Sequence, residues 1–522
     1  MNPEKLAIER FRGWPKASLW LLVLLVLFGL AQWSLPLRTA VQIGADEGFE
    51  LAKVTLCLHG HQLYTEVWND QPPLHTFLVT QLVKYVSHSV LVPRLVTSFF
   101  TVIMLISMFL LVLRFSGLAA AVIAVAILLA SPGFLELSAS CMLEIPALAM
   151  AVGALCVLAN WPAGKALPVV VAGVLFGAAI LIKLISLIWI PLAVLLICQR
   201  MTASRPDAGS VALFPSLFST LKSPSFIRHS LLFMGALAAA ALAIDWLVDD
   251  GAFWLNFQQS WQSHFSAATS SAYGSASEHR FDWMIFLRNW DTTIPAVIGG
   301  IFALSKIKTN ASLIMPMVWL LWSLLVFSNH TPWWPYYYIH LALPLSWMAA
   351  LGFLWLSENR LAKAPPISKR RTKPKQRVPV ALTELLCLGA CMWMVARVYY
   401  EMIGVKTQPK TFSSLVIMET QRYRPYAHWL YADDIALSYY ADIPMPPSLA
   451  VVPLKRLWSG GMTGDLLAEE FDRYRPELAI LNNAAPPVPF HDLLDSNYRL
   501  VYQDDRYQLF ASTNIIRQAR AR

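Results

Sequence analysis

The sequence predicts a polytopic α-helical membrane protein of about eleven transmembrane helices, followed by a small C-terminal α/β domain on the extracytoplasmic side. Three observations predict it. The 522 residues are 57% hydrophobic and only 14% charged, with a mean hydropathy of +0.50, whereas a soluble chain carries roughly a quarter charged residues. The apolar residues gather into runs of roughly 20, the length that crosses a bilayer as a helix. The net charge is +9, yet the cations lie mainly in short segments between the runs, which is the positive-inside signature of topology rather than a nucleic-acid face. Composition therefore names the lipid bilayer as a partner and excludes nucleic acid.

The runs fall near 17–37, 93–114, 118–134, 143–161, 166–182, 184–200, 230–248, 292–306, 311–328, 335–356 and 380–401. Lys5, Arg10, Arg12 and Lys16 precede the first run. That run is too long for a cleavable signal core and reads as an uncleaved anchor with a cytoplasmic N-terminus. Residues 166–198 form one apolar stretch that as a single helix would span roughly 50 Å, too long for one bilayer; two short helices meeting at Lys183 fit better. Charge placement supports the count. Arg114, Lys165, Arg200, Arg205, Lys222, Arg228, Lys306, Lys308 and the basic loop 363–377 fall on one side, while Asp46, Glu47, Glu50, Glu66, Glu136, Glu144, Asp249, Asp250, Glu278 and Asp282 fall on the other. Lys53, Lys84 and Arg280 are exceptions, cations on the acidic side.

Three segments are too polar to span. The first outer loop, 38–92, shows helical patterns near Gly48–Leu58 and Leu74–Tyr85, read as amphipathic helices lying along the interface. A second outer loop covers 249–290. Residues 1–402 are thus assigned to the membrane core and 403–522 to the outer domain. In the latter, short β-prone runs (Ala427–Tyr431, Leu478–Leu481, Tyr498–Tyr502, Tyr507–Ala511) alternate with helical stretches such as Thr463–Tyr474, and Asp504-Asp505 marks a hairpin turn. The six cysteines show neither metal-ligand nor redox spacing. Cys57 and Cys141 fall outside the cytoplasm, where a bridge between them is chemically open.

Candidate site residues crowd the outer rim. Asp46-Glu47 places two carboxylates at the mouth of a membrane bundle, where a carboxylate acts as a general base or holds a divalent cation against a phosphate; a solvated acidic loop is the plainer alternative. In Trp68-Asn69-Asp70-Gln71-Pro72-Pro73-Leu74-His75, the two prolines fix a turn before a helix, a platform that presents His75 or simply a helix entry. Glu144 stands at the outer start of a span. Arg94 and Lys183 sit at the outer edges of apolar runs, where a cation grips a lipid phosphate or merely snorkels. The run His330-Thr331-Pro332-Trp333-Trp334-Pro335-Tyr336-Tyr337-Tyr338-Ile339-His340 carries aromatics expected of a membrane belt and two histidines that are not.

Taken in order, these segments resemble the GT-C glycosyltransferases, in the branch that holds the dolichyl-phosphate-mannose protein mannosyltransferases and the lipid A aminoarabinose transferase. The resemblance rests on Gly44-Ala45-Asp46-Glu47-Gly48, Trp68…Pro72-Pro73-Leu74, Val92-Pro93-Arg94-Leu95, Ser131-Pro132…Glu144-Ile145-Pro146, Ile182-Lys183-Leu184 and the run from Tyr336 to Pro344. It covers roughly 18–356, and the C-terminal segment is similar to those that follow this core in bacterial members. It implies a GT-C-like fold in a bacterial inner or plasma membrane. It also implies an inverting transferase that moves a sugar from a polyprenyl-phosphate carrier to a glycan, lipid or protein acceptor on the outer face.

On that resemblance Asp46 is the catalytic carboxylate. Glu144 is the second acidic position, a metal or acceptor contact, so that Asp46 and Glu144 would share a divalent cation such as Mg or Mn. Arg94, Lys183, Tyr337 and His340 face the carrier phosphate, and Glu47, His75 and His330 are acceptor-side or accessory groups. Two positions depart from the pattern. Gln71 stands where these proteins often carry lysine, so one phosphate-binding charge is absent or comes from elsewhere, and Glu144 stands where aspartate is common. A carrier-binding protein, flippase or ligase without this chemistry is the other reading. It does not call for an acidic pair in the first outer loop.

Overall fold

The computed structural model describes residues 3–160, 165–203, 219–249, 279–307, 310–361, 380–407, 414–485 and 488–520, together with 252, 254–260 and 262. The basic segment 363–377 and, within the loop 249–290, residues 250, 251, 253, 261 and 263–278 lie outside the described residues.

Helices dominate. They are α1 (Pro3–Trp33), α2 (Glu47–Leu58), α3 (Leu74–Tyr85), α4 (Leu91–Leu129), α5 (Phe134–Ala139), α6 (Glu144–Asn160), α7 (Ala166–Ile182) and α8 (Ile190–Ala203), then α9 (Pro224–Asp249), α10 (Trp290–Ser305), α11 (Met315–Phe327), α12 (Tyr338–Leu361) and α13 (Val380–Thr407). Among the described residues, five helices are long and apolar enough to cross a membrane: Trp14–Trp33, Leu91–Leu129, Leu184–Thr202, Pro224–Val248 and Pro335–Leu356. Glu144–Asn160, Ala166–Ile182 and Ser312–Phe327 are shorter apolar helices.

Two breaks shape the bundle. In α4 the backbone at Gly117 adopts φ 84° and ψ 178°, a region glycine enters without a Cβ penalty, so α4 is two helices joined at that residue. At Lys183 the chain turns extended (φ −153°, ψ 123°) between α7 and a 3₁₀ turn, Leu184–Trp189, in keeping with two short helices meeting there. The core lies where α4, α6 and α12 pack, around Met104, Met108, Phe109, Leu148, Leu155, Leu343 and Trp347. Helices α10 and α12 approach until a Cβ added at Gly299 would lie 1.9 Å from the Met348 carbonyl oxygen, and one at Gly352 2.0 Å from that of Pro295. Such contact through missing side chains is how helices associate where no hydrophobic force draws them together. Arg397 of α13 forms a bidentate pair with Asp291 of α10 (2.8 and 3.0 Å) and donates to the Ala130 carbonyl (2.9 Å).

The C-terminal segment holds four strands, β1 (Leu430–Ala432), β2 (Leu478–Asn482), β3 (Tyr498–Gln503) and β4 (Tyr507–Ser512), in the order β1-β2-β4-β3. β1 and β2 are parallel, and β4 pairs antiparallel with both β2 and β3. The hairpin at 498–511 lies where alternation places it. β1 begins later than the run Ala427–Tyr431, because the Glu477 carboxylate accepts the N–H groups of His428 (3.1 Å) and Trp429 (2.8 Å) before any strand partner does. The helix expected from Thr463 starts at Gly464, with the Thr463 hydroxyl capping the Leu466 N–H.

This segment seats itself on α2. The Tyr440 hydroxyl donates to the Ala40 carbonyl (2.6 Å), and His88 stacks on Tyr439 with ring centroids 4.5 Å apart. Covered there and by the bundle, α2 has Glu47, Gly48 and Glu50 through Leu56 all buried. The expected interfacial helix is therefore an interior one. In contrast α3 buries one face, His75, Thr76, Val79, Thr80 and Val83, and leaves Leu82 and Tyr85 exposed. Among the described residues no disulfide joins any of the six cysteines, Cys57 and Cys141 included.

Candidate active site

Where α2, α6, the Lys183 break and the loop before α12 meet the C-terminal segment, they enclose a cavity of about 420 Å³. Its wall includes Asp46, Glu50, Lys53, Asp70, Gln71, Glu144, Lys183, Trp334, Tyr336, Tyr337 and the stretch Val451 to Lys455. Among the described residues, four carboxylates and three ammonium groups thus share one space at the rim of an apolar bundle.

Local geometry separates the two acids of the first loop. Asp46 stands at the N-cap position of α2 without a side-chain capping bond, Glu47 is the first helical residue, and successive residues in a helical turn point about 100° apart. Asp46 turns toward the cavity, where the Tyr336 hydroxyl donates to its Oδ2 (2.9 Å). Loss of water around it, and then the negative charge of Glu144, push its pKa above the ordinary value, against the opposing pull of Lys183, Tyr336 and Lys455. Glu47 turns inward. Its carboxylate takes a bidentate pair from Arg94 (2.9 and 2.9 Å) and the N–H groups of Ile43 (2.6 Å) and Cys141 (2.9 Å). Arg94 also donates to the Leu37 carbonyl (2.7 Å). Both Arg94 and Glu47 are 0% exposed, and neither is on the cavity wall.

Glu144, the first residue of α6, forms an ion pair with Lys183. The Lys183 ammonium also lies over the rings of Tyr336 (5.3 Å) and Tyr337 (5.4 Å), contacts that favour a cation electrostatically. On the α2 side Lys53 pairs with Glu50 and donates to the Asn69 Oδ1 (3.2 Å). The Thr76 hydroxyl donates to Glu50 (3.1 Å), and His75 Nδ1 lies 3.7 Å from the same carboxylate. Burial opposes ionisation of Glu50, but Lys53 and His75 outweigh it and bring its pKa down to about 2.

Asp46, Glu144, Lys183 and Tyr337 are therefore brought together as the sequence groups them. Arg94, expected at the carrier phosphate, and Glu47, expected as an accessory group, are bound instead to each other. A fully buried guanidinium without its carboxylate would be strongly unfavourable, so their pairing fixes the loop that presents Asp46. His75 is buried behind Glu50 rather than on the wall. His340 is also buried, stacked on Trp189 (5.5 Å) and beside Phe327 (4.9 Å), and His330 packs against Tyr337 (5.6 Å). These two histidines support the aromatic wall from behind.

The shared cation expected between Asp46 and Glu144 meets a donor set that does not suit it. The Lys183 ammonium already neutralises Glu144, and among the described residues no group of three or more His, Cys, Asp or Glu is gathered that would hold a metal ion.

Several wall residues escaped the sequence. Tyr336 reads as belt from sequence, yet it holds Asp46. Lys53 is one of the cations on the acidic side, and its pairing with Glu50 accounts for that exception. Lys455 has no local signal at all, since only the fold carries it to Asp70, 385 positions away in sequence.

These helices, the buried α2 and the sheet seated over the rim define an integral membrane protein with the GT-C fold. No protein-family model matches the sequence, and no curated protein matches it. Solved structures do. The chain is similar to ArnT from Cupriavidus metallidurans bound to undecaprenyl phosphate, with a TM-score of 0.63 and 14% identity over 95% of this chain and 98% of that one. It is also similar to the archaeal oligosaccharyltransferase AglB from Archaeoglobus fulgidus in complex with an inhibitory peptide and a dolichol-phosphate. There the TM-score is 0.53 at 13% identity, covering 89% of this chain and 69% of that one. At such identities the likeness is one of fold.

Proposed function

We propose that the protein is an inverting glycosyltransferase that moves a sugar from a polyprenyl-phosphate carrier to an acceptor hydroxyl or amine on the extracytoplasmic face. The observation that carries this reading is Asp46, held by Tyr336 on the wall of a cavity that also contains the Glu144–Lys183 pair. A carboxylate with a raised pKa is a better general base than an ordinary aspartate. Positive-inside placement of the basic segments supports a reading with the cavity and the C-terminal segment on the outer side and the N-terminus in the cytoplasm. That both ArnT and AglB were solved with a polyprenyl or dolichol phosphate favours the same class of carrier here.

In the proposed reaction Asp46 takes the proton of the acceptor as its oxygen or nitrogen bonds to the anomeric carbon. The bond from that carbon to the phosphate oxygen breaks, and its electron pair leaves with the polyprenyl phosphate. Direct displacement inverts the anomeric centre. Lys183, cradled by Tyr336 and Tyr337, meets the charge that grows on the leaving phosphate, a fixed cation needing no reorganisation at the moment of reaction. Glu47 and Arg94 keep the Asp46 loop in place.

The test is transfer by the purified protein in liposomes, offered a panel of radiolabelled polyprenyl-phosphate sugars and a membrane extract of acceptors. Label passing from one carrier to an acceptor is the expected result. Carrier binding or flipping with every donor, and transfer with none, would contradict it.

A further inference from the structure

The stretch 451–458 crosses the cavity and is fastened on both sides. Arg456 lies over the Trp68 ring at 5.3 Å and donates to the carbonyls of Ser448 and Val451 (both 2.9 Å). Trp458 stacks on Trp334 with centroids 6.1 Å apart and planes 9° from parallel. One fastening is thus to the first outer loop and the other to the loop that carries Tyr336. Immediately before these anchors Lys455, 8% exposed, reaches into the cavity beside Gln71, its ammonium 3.5 Å from the Asp70 Oδ2.

Among the described residues each of the cavity's three ammonium groups has a carboxylate, at unequal distances. Lys53 is held by Glu50 and Asn69, and Lys183 by Glu144 and two tyrosine rings. The Lys455–Asp70 contact is the longest of the three pairs, while the backbone around Lys455 is pinned. A long, flexible stem on a fixed backbone lets an ammonium move between anions, and a cation out of water attracts an incoming phosphate more strongly than a solvated one does.

We infer that Lys455 is a substrate-binding residue, the cation that the C-terminal segment lends to the cavity, and that it exchanges Asp70 for the phosphate of an incoming substrate. The phosphate belongs either to the lipid carrier or to the acceptor. The inference rests on the proposed function only for the identity of that substrate. The C-terminal segment is then part of the binding site rather than a cover over it.

Binding measures this without any transfer. Affinities for farnesyl phosphate, for farnesol and for a soluble sugar phosphate are taken by calorimetry on the full chain in nanodiscs. The proteins are wild type, Lys455→Gln, Asp70→Asn and the double variant Lys455→Gln/Gln71→Lys. Lys455→Gln is expected to weaken a phosphate ligand about tenfold, the worth of one charge-assisted contact, and to leave farnesol unchanged. Asp70→Asn removes the competing anion and is expected to tighten the same ligand. Gln71→Lys returns a cation to the same wall and is expected to restore affinity. If the Lys455–Asp70 pair merely clips the stretch down, both single variants would weaken binding alike and farnesol would suffer equally, which overturns the inference. Unchanged affinity for both phosphates in Lys455→Gln overturns it too. An effect confined to farnesyl phosphate assigns the cation to the carrier; one confined to the sugar phosphate assigns it to the acceptor. A protein that shows these effects yet transfers no sugar leaves this inference standing and removes the proposed function.

Discussion

At the scale of single residues, two neighbouring carboxylates take opposite fates, and each fate has a test. In the proposed reaction Asp46 works ionised, and its pKa is raised by lost hydration and by Glu144. The transfer rate is therefore expected to fall as pH drops through that raised pKa, with a midpoint above the ordinary aspartate value of 3.8. A pH–rate profile in liposomes checks this, and a rate still flat down to pH 4 would contradict it. Glu47 and Arg94 form a structural pair. Arg94→Met leaves the Glu47 charge buried and uncompensated, which costs about 3–5 kcal/mol. A large fall in thermal stability in detergent is expected, whereas an arginine serving the phosphate would lose donor affinity and keep its stability. The acidic pair was visible in the sequence. Spacing alone did not say which member faces the cavity, since that depends on where α2 begins; the resemblance named Asp46, and Asp46 lines it. Tyr336 was hidden for another reason: a tyrosine at this depth is what any membrane protein shows.

At the scale of elements, much was legible because it follows from length and backbone chemistry. The apolar run around Lys183 was too long for one helix, and the chain breaks there. The hairpin at 498–511 followed from alternation. What failed depended on neighbours. The pattern of α2 suits an interfacial helix, but the segment Ala436–Ala441 and the bundle cover its polar side, and the charges there neutralise one another as the Glu50–Lys53 and Glu47–Arg94 pairs. Helix contact gives its own prediction. Gly299→Ala places a Cβ 1.9 Å from backbone oxygen of α12, which no side-chain rotation relieves, so a sharp loss of monodisperse folded protein is expected on size exclusion. Gly235→Ala, with nothing within 4 Å of the added Cβ, is expected to behave as wild type. Equal behaviour of the two would show that α10 and α12 do not approach as described.

At the scale of the whole molecule, the site is assembled from parts distant in sequence: the first outer loop, the start of α6, the Lys183 break, the loop before α12 and the stretch 451–455. A fold in which apolar helices carry short polar ends can gather charges only at its rim, because charges deeper in the bilayer are costly. The sequence showed the rim as a row of separate motifs. It did not show that the C-terminal segment closes the row, because the contacts that dock it (Tyr440 on Ala40, His88 on Tyr439, Lys455 on Asp70) are single residues with no local pattern. The account stands or falls on Asp46 as the base of an inverting transfer. The measurement that tests it most directly compares wild type with Asp46→Asn in the liposome transfer assay, with the anomeric configuration of the product read by NMR. The account predicts an inverted product from the wild type, and from Asp46→Asn no detectable product, with thermal stability and carrier binding preserved. Wild-type rates from Asp46→Asn, or a retained configuration, would contradict it.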